Sequence, residues 1–126
     1  MKALKIKQLD EKDEEIADIL ISLGMSRKVA MSLTYLQNMN SATSVDLERA
    51  ARLRQPEVSI AMRQLKEHDW IDEQEEKKPG KGRPNKVYSL KVRFNDIITQ
   101  LEKQQKKSVD ETMANVERLR ELENIE

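Results

Sequence analysis

Apolar residues recur at helical spacing along most of this chain, and one stretch, from Trp70 to Lys91, interrupts that period. Ile16, Ile19, Leu20 and Leu23 form one stripe, which predicts a helix over residues 10–23. Acidic residues crowd its first turns, where the helix dipole favours them, and Gly24 suits the position just past its end. Ser26 is placed to cap a second helix over 27–38, with Val29, Leu33 and Leu36 as its apolar face. Thr43 precedes Asp46 by three residues, a capping-box spacing that opens a short third helix over about 45–53. Its inward residues are Leu47, Ala50 and Leu53. Pro56 suits the first turn of a fourth helix over 56–68, because its missing N–H would be unpaired there anyway. Val58, Ala61, Met62 and Leu65 give that helix a narrow inner face. Ser59, Ile60, Arg63 and Glu67 point outward, with Gln55 and Glu57 at the N-terminal end.

At Trp70 the helical period stops. Residues 70–76 and 86–91 read as two strands, with Val87 and Ser89 facing one side and Tyr88 and Leu90 the other. Pro79-Gly80-Lys81-Gly82-Arg83-Pro84 between them has turn composition. Trp70 is expected as a core anchor. From Asn95, the expected N-cap, to Glu123 there is no proline or glycine, and Phe94 leads in. Ile98, Leu101, Gln105, Val109, Met113, Val116 and Leu119 recur there at spacings of three and four, or multiples of these. That is a long helix with one apolar stripe, interrupted by Gln105. Such a stripe must be buried, and a second copy of the chain is the simplest cover. Folding back on the chain's own N-terminal helix is the competing reading. The spacing is not a strict heptad, so a regular coiled coil does not follow.

The chain has 126 residues, 37% of them charged, and a net charge of zero. No global field therefore draws it toward a polyanion, but the charges are sorted. Acidic clusters lie at residues 10–15 and 72–76, whereas seven cations and no acid lie between Lys77 and Arg93. A hairpin of that sign fits the backbone of a nucleic acid; the plain alternative is a solvated loop. With no cysteine, disulfides, zinc–thiolate sites and thiol catalysis are excluded. One histidine and three glycines leave little material for a triad or a phosphate-binding loop. No catalytic residue, metal site or cofactor is assigned, and an enzyme is not expected. No apolar run suits a membrane span or a signal peptide, which makes the cytoplasm the expected location.

The segment Arg54 to Ile71, RQPEVSIAMRQLKEHDWI, resembles the recognition segment of the ArsR and MarR groups of prokaryotic regulators. Val58-Ser59 match their Val-Ser, Met62 and Leu65 stand at the core pair, and Trp70-Ile71 open the strand. Leu23-Gly24-Met25-Ser26, with Ala30, Leu33 and Leu36, is similar to the opening of the TrmB-like regulators common in archaea. Gly82-Arg83-Pro84, followed by Lys86, Tyr88 and Leu90, resembles wings of these families. The resemblance covers about residues 20–91. Three departures stand out. Asp69 replaces the usual glycine, so that turn either differs or carries a left-handed aspartate. Pro56-Glu57 replace a Ser-Thr type pair, and the metal-binding cysteines of metal-sensing members are missing.

The resemblance implies a mainly α fold with a small β-hairpin wing, a winged helix-turn-helix domain at 25–92; the flanking patterns add an N-terminal arm and packing or dimer helix at 1–24 and a long C-terminal dimerisation helix at 93–126. It implies double-stranded DNA as the partner of a homodimeric transcriptional regulator. The fourth helix would enter the major groove, with Gln55, Glu57, Ser59, Ile60 and Arg63 toward the bases. The wing residues Lys77, Lys78, Lys81, Arg83 and Lys86 would meet backbone or minor groove. Ile98, Leu101, Val109, Met113, Val116 and Leu119 would form the dimer contact. The rival reading is a winged helix used for protein contacts in a larger assembly, which the acidic strand 72–76 favours. A small-molecule effector stays open, with Met25, Met31 and Met113 as candidate lining or plain core.

Overall fold

Helix α1 (Glu11–Ser22) begins at a reciprocal cap. The Asp10 side chain accepts from the Asp13 N–H at 2.9 Å, and the Asp13 side chain accepts from the Asp10 N–H at 3.1 Å. The computed structural model describes residues 9–76 and 85–124. Asp13 also accepts from Asn38 Nδ2 at 2.8 Å and is almost fully buried. The inner face of α1 is Asp13, Ala17 and Leu20, whereas Ile19 and Leu23 of the expected stripe are exposed. Helical spacing puts Ile19 about 120° from Asp13 at 100° per residue. The buried face of α1 thus combines the Asp13–Asn38 bond with Ala17 and Leu20, and leaves Ile19 and Leu23 in solvent.

Helix α2 (Arg27–Asn38) has the bounds that the sequence predicts, with Ser26 Oγ accepting from the Val29 N–H at 3.3 Å. It is the central helix: residues 29–36 are buried without a break. The short strand β1 (Ala42–Thr43) leads into α3 (Ser44–Ala50), where Thr43 and Asp46 form the expected capping box. Helix α3 ends at Ala50 rather than Leu53. Leu53 instead lies in the turn and donates its N–H to the Glu48 carbonyl at 3.0 Å. Helix α4 (Gln55–Glu67) buries Val58, Ala61, Met62 and Leu65, as its pattern requires.

Three helices end with the same device. After α1, α3 and α4 the next residue but one is left-handed: Gly24 at φ 107°, Arg52 at φ 57° and Asp69 at φ 64°. In each case the following N–H bonds back five residues, from Met25 to Leu20, Leu53 to Glu48 and Trp70 to Leu65. These are Schellman closures, which satisfy carbonyls left open at the helix end. Only one uses glycine. The other two place a side chain where glycine is easier.

Strands β2 (Ile71–Glu76) and β3 (Asn85–Leu90) pair antiparallel from Ile71 opposite Leu90 to Glu76 opposite Asn85. Strand β1 pairs with the other edge of β3, giving the order β1-β3-β2. The two-residue β1 is too short for an alternating pattern to show it in the sequence. Trp70 and Tyr88 are buried, and the Lys91 N–H returns to the Trp70 carbonyl at 2.7 Å. Leu33, Leu36, Leu47, Val58 and Leu65 are fully buried at the centre of this first unit, which runs to Phe94.

The second unit, from Asn95 on, is the body of the 30-residue helix α5 (Phe94–Glu123). Because α5 starts at Phe94, Asn95 lies inside its first turn and is not the N-cap. Ile97 and Leu101 are its buried residues, whereas Ile98, Val109, Met113, Val116 and Leu119 are exposed. No helix among the described residues is long and apolar enough to cross a membrane.

Candidate nucleic-acid interface

Helix α4 presents two faces with different chemistry. Val58, Ala61, Met62 and Leu65 hold it in the domain, while Ser59, Ile60, Arg63 and Glu67 lie on the opposite side and are exposed. Ile60 keeps 43% of its surface in solvent beside the cationic Arg63. The Arg63 guanidinium, which carries five donors, has no ion-pair partner among the described residues. Gln55 is exposed at the helix start.

Glu57 is different. Its carboxylate accepts from the Arg54 N–H at 2.8 Å and faces Lys28 Nζ at 3.7 Å. The bond from the Arg54 backbone, opposed by slight desolvation and aided by Lys28, holds its pKa below the ordinary carboxylate value. Glu57 thus caps the first turn of its own helix and ties it to α2. The acid in the Pro56-Glu57 pair is turned to local structure.

The hairpin has its own charge arrangement. Glu73 lies between two cations, with Lys66 Nζ at 3.0 Å and Lys86 Nζ at 3.6 Å. Partial burial pushes its pKa up, but the hydrogen bond from Lys66 and the charges of Lys86 and Lys66 outweigh this and hold it low. One of the four acids of β2, Glu73, is therefore balanced locally by two cations. Lys86, expected to meet phosphate, spends part of its charge on Glu73. Lys77, Lys78, Lys81 and Arg83 lie outside the described residues. At the hairpin's other end Asp69 accepts from Lys91 Nζ at 2.6 Å, and this hydrogen bond and charge raise the Lys91 pKa. His68 stacks on Trp70, with ring centroids 4.3 Å apart and planes 15° from parallel. Its ring thus lies against the core anchor of the hairpin.

No protein-family model matches this chain, and no curated protein does either. Its fold, however, is found among solved structures. TrmBL2, described as an archaeal chromatin protein with a novel mode of DNA binding, superposes with a TM-score of 0.66 at 15% identity, over 86% of this chain and 39% of its own. The chain thus spans well under half the length of that protein. A possible transcriptional regulator from Methanosarcina mazei Go1 superposes with a TM-score of 0.63 at 15% identity, over 83% of this chain and 86% of its own. NadR in complex with 4-hydroxyphenylacetate gives 0.52 at 13% identity, over 90% and 84%.

The fold is a winged helix-turn-helix.

In that winged helix-turn-helix α3 and α4 are the helix pair, Ala51 to Arg54 is the turn, and β2 and β3 are the stem of the wing. The structure adds cations that the sequence pattern did not single out. Arg27 and Lys28 open α2, and Lys28 reaches the first turn of α4 through Glu57. A signal was present: two cations at a helix N-terminus oppose the dipole, which favours anions there. Arg49 near the end of α3 and Arg52 within the turn line one recess together with Arg27.

Proposed function

We propose that this chain is a transcriptional regulator that binds double-stranded DNA sequence-specifically as a homodimer. The observation that carries the reading is the outer face of α4. A helix fixed by four buried residues presents Ser59, an exposed Ile60 and an Arg63 with no ion-pair partner among the described residues. Arg63 can take a guanine edge through two parallel hydrogen bonds, Gln55 an adenine edge, and Ile60 a thymine methyl. Glu57 acts by positioning: it fixes the start of the helix against α2. Lys77, Lys78, Lys81 and Arg83 meet the phosphate backbone or a narrow minor groove, and Lys86 joins them by leaving Glu73. The solved proteins of this fold are named as regulators or chromatin proteins, which supports a binding role and not an enzymatic one.

The homodimer reading rests on α5. Ile98, Val109 and Val116 fall within about 20° of one line on the helix at 100° per residue. Together with Met113 and Leu119 they leave five apolar side chains in solvent. Burial of each is worth about 1.5–3 kcal/mol. A second α5 supplies a matching stripe, and two winged helices then face half-sites about one turn of DNA apart.

The deciding experiment is selection of bound fragments from random DNA, followed by affinity measurements across a salt series. The expected result is an enriched motif with two-fold symmetry and a steep salt dependence. No enrichment at low salt would transfer the fold to the protein-assembly reading.

A further inference from the structure

One recess of the first unit is not used by this mechanism. It has a volume of about 190 Å³ and lies among α1, α2, α3 and the turn that follows α3. Glu14 and Asp18 enter it from α1, Arg27 from α2, Arg49 from α3 and Arg52 from the turn, with Met31 at its apolar side. Glu14 and Asp18 are four residues apart and share a helix face. Among the described residues, none of the three guanidinium groups is paired with a carboxylate, and neither acid is paired with a cation. Opposite charges thus line one space without closing on each other. The space would hold on the order of six waters at roughly 30 Å³ each.

Arg52 adds a second observation. It occupies the left-handed position of the turn, at φ 57°. Its Cβ makes that conformation cost more than it does for glycine, which Gly24 supplies at the equivalent place after α1. The closure of α3 thus fixes where the Arg52 side chain leaves the turn, at the edge of the recess.

From these observations we propose that the recess is an effector site for a small acidic amino acid. Two carboxylates of the ligand satisfy the three guanidinium groups, which bind carboxylate through paired donors. Its ammonium group meets Glu14 and Asp18. The lining carries three positive and two negative charges, and a ligand of net charge minus one balances it. A DNA backbone is a poor occupant, because it carries only anions and would meet both acids. The regulatory consequence rests on the DNA-binding reading. Arg52 lies two residues before Arg54, the N-cap of α4. A ligand that gathers Arg27, Arg49 and Arg52 therefore ties α2 and α3 to the start of the base-reading helix.

The test is thermal unfolding of the full chain, without DNA, in the presence of L-glutamate, L-aspartate, glutarate or inorganic phosphate. L-Glutamate or L-aspartate should raise the Tm by roughly 10 °C near a hundredfold excess over its dissociation constant. Glutarate, which lacks the ammonium group, should give less than half of that. Arg52→Gly should abolish the shift while the protein itself melts no lower, so loss of binding is separated from loss of fold. The double variant Glu14→Gln with Asp18→Asn should erase the preference for the amino acid over glutarate. The proposal is overturned if neither amino acid shifts the Tm, if glutarate and phosphate shift it equally, or if Arg52→Gly still responds. None of these outcomes bears on DNA binding, which the fragment selection tests alone.

Discussion

Arg63→Ala removes the one side chain on the outer face of α4 that combines charge, exposure and a guanidinium. Because it has no ion-pair partner among the described residues, its loss should leave folding unchanged within about 0.5 kcal/mol. The effect on DNA is large by comparison. A bidentate contact from arginine to guanine is worth about 1–3 kcal/mol. A symmetric dimer makes it twice, so about 2–6 kcal/mol is lost, roughly thirtyfold to ten-thousandfold in affinity at about 1.4 kcal/mol per decade. If Arg63 instead holds a phosphate in each half-site, the slope of log affinity against log salt becomes shallower by about 1.8. Fluorescence anisotropy on the selected fragment, over a salt series, separates the two. A base contact gives a large loss, an unchanged slope and relaxed preference at one base pair. A phosphate contact gives a uniform loss across sequences and a shallower slope. Unchanged affinity and slope, with urea unfolding unchanged, would refute the assignment of this face to DNA.

Three further outcomes follow from the packing. Ser32→Ala should stabilise the first unit by about 1 kcal/mol in urea unfolding, because the Ser32 hydroxyl is fully buried with no hydrogen-bond partner among the described residues; a loss of stability would show that the hydroxyl is satisfied in solution. Thr43→Ala should cost about 1 kcal/mol by the same measurement, since it removes the side-chain acceptor for the Asp46 N–H at the start of α3. Replacing Val109 and Met113 by glutamate should convert dimers to monomers in sedimentation and weaken DNA binding, with the helical signal of the first unit intact; a dimer that persists would remove α5 from the interface.

The helices of the domain were legible because each carries its own start signal and apolar period. Ser26, the Thr43–Asp46 pair and Pro56 mark their ends chemically, and Val58, Ala61, Met62 and Leu65 define an inner face that no tertiary contact altered. The outward face of α4 followed from the same period. The rotation of α1 did not, because its buried face is set by tertiary neighbours, among them Asn38, which bonds Asp13 from 25 residues away. Strand β1 exists only because β3 is there to pair with it.

Charge shows the same division. The sequence by itself determined that the chain has long helices, a hairpin stem and a cationic segment between Lys77 and Arg93, since these depend on local spacing and composition. Only the tertiary structure decided which charges cancel. It brought Lys66 and Lys86 to Glu73, one of the four acids of β2. It turned Glu57 onto the start of its own helix and left Arg63 without an ion-pair partner among the described residues. It also brought Arg27, Arg49 and Arg52 to one recess with Glu14 and Asp18. Coulomb interactions depend on distance in space, and a linear pattern carries that distance only within a turn of helix or across a hairpin.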